Sequence, residues 1–231
     1  MKLLGAIYFI IILILPVSIH AQEENAAFFT GKYFLSNGAI SLDKSESLVV
    51  WNLFGPQYYR GLTKNIQVGI TSYWLLTPIV LESQVSMEVV DYIHIAGGGM
   101  YGLNWVGDEN DPVAVLFGTI TLGDKNANIS NSIYRFDFED SFIGEEVAYN
   151  PREYTVLNIS AYYKTKRNAA FVADLFYTSR RGDTGILVMY GAQILTKRNR
   201  FFNVGFMNYH NENKEFYFIP IPFLQLQVPV N

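Results

Sequence analysis

Leu157-Asn158-Ile159-Ser160-Ala161 puts its apolar residues on one side of an extended chain and its polar residues on the other, and Leu224-Gln225-Leu226-Gln227-Val228 does the same. In Phe202-Asn203-Val204-Gly205-Phe206 the bulky residues again share a face. A period of two marks a strand in a sheet with two unlike faces. Runs of this kind predict strands over Ser47–Arg60, Ile66–Leu76, Ile79–Glu88, Tyr92–Asn104, Val113–Leu122 and Asn128–Phe138. Five more follow at Tyr154–Tyr163, Ala169–Thr178, Thr184–Leu195, Phe201–Tyr209 and Phe216–Val228, and Lys32–Ile40 offers another at the front.

Short polar segments separate these runs. Thr63-Lys64-Asn65, Thr165-Lys166-Arg167-Asn168 and Thr196-Lys197-Arg198-Asn199 are variants of one turn, Gly123-Asp124-Lys125-Asn126 is a fourth, and Val90-Asp91 fills the gap between the first and the fourth. Tight turns between alternating strands make hairpins. All five fall on one side of the predicted meander, opposite longer loops at 105–112, 139–152, 179–183 and 210–215. Short turns at one end and longer loops at the other, with both termini at the turn end, is the layout of an outer-membrane barrel and requires an even strand count. Counting Lys32–Ile40 gives about twelve strands, and assigning the hairpin near Thr77-Pro78 to a loop gives about ten.

The N-terminus adds an address. Lys2, an apolar run from Leu3 to Val17, and Ser18-Ile19-His20-Ala21 read as a secretory signal peptide over residues 1–21. The rest, residues 22–231, reads as a single barrel domain. Charged residues are only 16% of the chain, against 16 Tyr and 17 Phe. That charge content is low for a soluble domain, and aromatics near strand ends suit a bilayer interface. With no cysteine the exported chain must close its hydrogen bonds by topology rather than by disulfides. A net charge of −4 argues against nucleic acid as a partner. The expectation is an all-β, closed antiparallel up-and-down transmembrane barrel in the cell outer membrane. A soluble periplasmic lipocalin-like barrel is the alternative, since alternation alone does not say which face is apolar.

Tyr59-Arg60-Gly61-Leu62-Thr63-Lys64-Asn65-Ile66-Gln67-Val68-Gly69, Ile93-His94-Ile95-Ala96-Gly97-Gly98-Gly99-Met100-Tyr101-Gly102 and Ile219-Pro220-Ile221-Pro222-Phe223-Leu224 resemble the segments "yGlTdNfsiG", "vhlgaGalyG" and "iPyl" of a family of small, uncharacterised outer-membrane β-barrel proteins of Gram-negative bacteria. The resemblance covers most of the mature chain. It implies a barrel and a location, with membrane lipids, lipopolysaccharide and the barrel-assembly machinery as partners, and no activity. Such proteins commonly end in an aromatic residue, whereas this chain ends Gln227-Val228-Pro229-Val230-Asn231, and Phe223 lies too early to be equivalent.

Candidate chemistry is sparse. Gly97-Gly98-Gly99-Met100-Tyr101-Gly102 contains G-x-G-x-x-G, but a dinucleotide site needs that motif to open a helix, and no helical period follows. No cofactor is expected. Two histidines, His94 and His210, lie outside the signal peptide. His210, in a predicted external loop with Ser179 in the neighbouring one, is the candidate for a lipid hydrolase or acyltransferase. The loop acids Glu139, Asp140, Glu145 and Glu146 are candidates for a divalent cation, without EF-hand spacing. Arg135, Asp137 and Asp174 are predicted to point into the barrel as a lumen charge cluster, either an ion-pair network that plugs it or a constriction that selects solutes. Phe117, Tyr162 and Met189 also read as inward-facing, which favours a narrow or filled lumen. The functional expectation is a non-enzymatic barrel, structural or a narrow passive pore.

Overall fold

The computed structural model describes residues 31–72, 79–103, 112–138, 152–166, 168–180, 183–196, 200–211 and 220–230. The described chain is all β and forms one closed antiparallel barrel. Its twelve strands are β1 (Ser47–Asn52), β2 (Gly55–Gly61), β3 (Ile66–Ser72), β4 (Ile79–Val90), β5 (Ile93–Leu103), β6 (Pro112–Gly123), β7 (Ala127–Phe138), β8 (Arg152–Lys166), β9 (Ala169–Arg180), β10 (Asp183–Leu195), β11 (Phe201–Asn211) and β12 (Ile221–Val230). Each strand pairs with its neighbours in sequence, and β1 closes the ring against β12 through Val50↔Gln227 and Asn52↔Gln225.

Ten of the twelve strands, β3 to β12, fall on predicted runs, and the front of the barrel differs. The run Ser47–Arg60 is a hairpin, broken at Leu53-Phe54, where Asn52 Oδ1 accepts from Phe54 N at 2.9 Å and Gly55 takes φ 131°. Residues 32–40 form no barrel strand. They lie in the lumen, with Lys32 bridged back to Asn37. One strand lost and one gained leave the count even.

All five predicted turns connect strands at one end, the turn end, where β1 also begins and β12 finishes. The other connections lie at the loop end. There β9 runs to Arg180 and β10 starts at Asp183, so the predicted loop at 179–183 is a two-residue connection. The segment Gly97–Gly102 lies wholly inside β5. A Cβ at Gly98 would sit 2.2 Å from the Ser83 carbonyl oxygen and 2.5 Å from the Phe117 ring. The glycine therefore serves close packing across the wall and not a phosphate.

The two faces of the wall differ in kind. On β4, Val80, Glu82, Gln84 and Ser86 are buried while Leu81, Val85 and Met87 are exposed. On β6 and β7, Thr119, Thr121, Asn128, Ser130 and Ser132 point inward, and Leu116, Ile120, Leu122 and Ile133 point outward. Leu116 is 69% exposed, and Trp51 and Tyr101 near the loop end, with Tyr163, Phe171 and Phe202 near the turn end, are exposed as well. Strands β4–β12 are 10 to 15 residues long. A strand of about twelve residues tilted about 40° rises roughly 28 Å, close to the height of an outer-membrane apolar band.

Candidate functional site

Twelve strands about 4.8 Å apart and tilted about 40° enclose a backbone cylinder about 24 Å across, which inward side chains narrow to about 12 Å. Residues 31–43 occupy that space. Gly31 has φ 77°, and its missing Cβ would lie 2.3 Å from the Ile40 carbonyl oxygen, so only glycine fits where the segment folds back. Gly38 N donates to Gly31 O at 2.8 Å and Tyr33 N to Ser36 O at 3.1 Å, closing a compact loop across the lumen.

The wall binds this loop on nearly every side. Asp174 of β9, fully buried, accepts from Leu35 N at 2.9 Å and from Ser36 Oγ at 2.6 Å, and the Ser160 hydroxyl reaches the same carboxylate. On the opposite wall, Asn37 Nδ2 donates to Glu82. Tyr33 Oη donates to Asn128 Oδ1 at 2.6 Å and lies 2.6 Å from Ser130 Oγ. Gln225 donates to Phe34 O at 2.7 Å, Gln84 to Gly38 O at 3.0 Å, and Thr121 Oγ1 accepts from Ala39 N at 2.8 Å. Leu42 N donates to Gln67 at 3.1 Å where the segment leaves the lumen. Apolar packing supplements the polar bonds: Phe34 meets Phe223 edge-on at 5.6 Å, within a cluster that includes Tyr162 and Met189.

Lys32 is the cation of this interior. Its Nζ donates to Leu35 O at 2.8 Å and to Tyr59 Oη at 3.1 Å, and lies 5.1 Å from the centre of the Tyr59 ring. Burial pushes the ammonium below its ordinary 10.5, against the pull of Glu82 and Asp174. Burial likewise raises the Tyr33 phenol. At the turn end Lys125 pairs with Asp43 at 3.3 Å, both largely exposed.

Of the predicted lumen cluster, the lumen holds Asp174. Arg135 stands on the outward face of β7, in step with exposed Ile133, and so does not meet Asp174. For Asp137 the described structure extends to its backbone, which pairs with Ala114 and Glu153. Phe117, Tyr162 and Met189 are buried inward as the alternation predicts. Lys32, Tyr33, Ser36, Asn37 and Glu82 carry the interior and escaped the sequence reading. The available signal is Gly31 and Asn37-Gly38, two turn-forming breaks that flank the apolar Tyr33-Phe34-Leu35.

His210 lies in β11, opposite Ile186 of β10, and not in a loop. Ser179 lies in β9 opposite Thr184, so β10 stands between the two and their backbones, two residues out of step, are about 12 Å apart. That spacing does not make a nucleophile and base pair. His94, paired with Glu88 and Thr121, lines a cavity of about 320 Å³ at the turn end with Asp91, Asp124 and Lys125. Among the described residues no three His, Cys, Asp or Glu side chains converge as metal ligands. Glu139, Asp140, Glu145 and Glu146 lie outside the described residues. Comparisons with protein-family models, with curated proteins and with solved structures find no match.

Proposed function

We propose that the chain is a non-enzymatic outer-membrane barrel whose polar lumen is held shut by its own residues 31–43. In this reading it is structural at rest and a narrow passive passage only when that segment is out of the lumen. One observation carries the membrane half of the proposal: the wall exposes Leu, Val, Ile and aromatic side chains outward and buries Gln, Ser, Thr and Asn inward. A soluble lipocalin-like barrel needs the reverse, with its apolar face turned into the cavity and its polar face to water. The export signal read at residues 1–21 and the resemblance to outer-membrane barrel segments support the same location. The reading makes outer-membrane lipids and lipopolysaccharide the surroundings, and the barrel-assembly machinery the partner during biogenesis.

The closed half rests on the lumen contacts of residues 31–43. A lipid-modifying activity at His210 finds no support in the placement of Ser179 two strands away.

Membrane fractionation and planar-bilayer recording test both halves. The protein is expected to remain in the membrane after a carbonate wash, to show heat-modifiable gel migration, and to give no steady conductance as the wild type. Release by carbonate overturns the membrane half, and steady wild-type conductance steps overturn the closed half.

A further inference from the structure

We infer that the lumen is a binding site for a single folded-back polypeptide loop, and that residues 31–43 are its resident occupant rather than part of the barrel's framework. The inference deepens the closed-lumen reading above and rests on it. The framework is complete without the segment: every strand, including β1 and β12, has both its partners among the twelve. The bridge made by Lys32 is to Asn37 of the same segment, so withdrawing it from the lumen breaks no ladder between strands.

Much of what the wall holds is main chain, beside the side-chain bonds of Lys32, Tyr33, Ser36 and Asn37. Gln225, Gln84, Thr121, Gln67 and Asp174 bond to Phe34 O, Gly38 O, Ala39 N, Leu42 N and Leu35 N. Side-chain amides and hydroxyls aimed at peptide groups recognise a polypeptide backbone as such, with selectivity added by contacts to particular side chains. Here Lys32 supplies the selectivity, as the one ammonium that the segment brings to a wall carrying the buried carboxylates Glu82 and Asp174. Beside these contacts Gln84 Oε1, Gln193 Oε1 and Asn203 Oδ1 are buried with no hydrogen-bond partner among the described residues. They are acceptors in reserve for backbone N–H groups of a chain seated in another register. The ligand class is a peptide loop that folds back on itself and carries a basic residue beside an aromatic one.

The test uses full-length protein. Lys32→Glu sets a third negative group beside Glu82 and Asp174 and leaves the wall untouched, so it should expel the resident segment. A labelled peptide of residues 31–43 is expected to bind this variant in detergent roughly a hundredfold more tightly than it binds wild type, whose own segment competes. In bilayers the variant is expected to conduct and the peptide to close it. A folded, heat-modifiable Lys32→Glu barrel that neither binds the peptide nor conducts overturns the inference. Should that variant not fold, the cysteine-free chain allows Ser36→Cys with Ser160→Cys, whose hydroxyls stand 2.7 Å apart in the native protein. The reduced pair should take up labelled peptide and the oxidised pair should exclude it, and the same uptake in both states, or none in either, overturns the inference. Peptide binding in detergent does not depend on location, so binding without membrane insertion would sink the outer-membrane reading alone.

Discussion

Each strand of the wall has an outer face and an inner face, and the two follow opposite rules. Outward positions such as Leu81, Leu116, Ile120 and Ile133 are large, apolar and exposed. Inward positions one residue away, Glu82, Thr119, Thr121 and Ser132, are polar and buried. In water this arrangement is unfavourable on both sides, since apolar area stays wet and polar groups lose their hydration. It becomes favourable when hydrocarbon covers the outside and hydrogen-bond partners fill the inside. Residues 31–43 supply the inner partners in full view, and the proposal assigns the outer cover to the bilayer.

The two faces should therefore respond to opposite changes. The largest effect is expected inside. Asp174→Ala strips the acceptor from Leu35 N, Ser36 Oγ and Ser160 Oγ at once, and should lower the unfolding free energy in detergent by about 3 kcal/mol. A urea titration monitored by heat-modifiable migration reads this directly, and a loss below about 1 kcal/mol would mean that the plug contributes little to the inner face.

Outside, Leu116→Arg places a charge near the middle of the wall on the face read as lipid-facing. In bilayers it should cost about 2–4 kcal/mol, with Thr119→Leu on the inner face as the control. A harmless Leu116→Arg would break the comparison from the outer side. Gly98→Ala tests the packing between strands on the inner face, opposite inward Phe117. Its new methyl group would press on the Ser83 carbonyl oxygen and the Phe117 ring, and the expected loss in the same titration is about 1–3 kcal/mol.

The inner face also predicts a pH dependence. Because burial holds Lys32 below its unfolded value of 10.5, the unfolded chain binds the extra proton between the two values. Stability should therefore rise as pH climbs from the lowered value toward 10.5, and flatten beyond it. Glu82, Asp174 and Tyr59 surround the ammonium, so the dependence is read as the difference between wild type and Lys32→Met. A difference that falls with pH in that window would contradict the buried cation. The smallest effect belongs to Lys125→Ala at the exposed mouth, where the pair with Asp43 is solvated and its loss should change stability by less than about 1 kcal/mol.

Much of this is legible in the sequence. Period-two alternation and one-sided turns give a closed even-stranded meander because both are local properties of the chain. Lys32–Ile40 reads as a strand because it is short and largely apolar, and Gly31 and Asn37-Gly38, where it folds back, are what distinguish it. The hairpin inside Ser47–Arg60 was hidden because Leu53-Phe54, at its tip, are apolar. Its marks are Asn52, which bonds Phe54 N, and Gly55-Pro56. Arg135 is predicted to point inward, whereas it stands outward across from Leu116, where a long cationic side chain can carry its charge along the wall toward the rim. Asp174 was placed correctly, but its partners Leu35 and Ser36 are more than a hundred residues away in sequence, and no spacing rule brings them together.

The account depends most on what touches the outer face. A nitroxide attached at Leu116→Cys in the otherwise cysteine-free chain, with the protein reconstituted in lipid vesicles, reports whether the label collides with oxygen dissolved in hydrocarbon or with a water-soluble nickel chelate. High oxygen accessibility and protection from the chelate are predicted, while a label at Asp43→Cys should show the opposite. A Leu116 label as open to the chelate as the one at residue 43 would contradict a membrane-spanning wall.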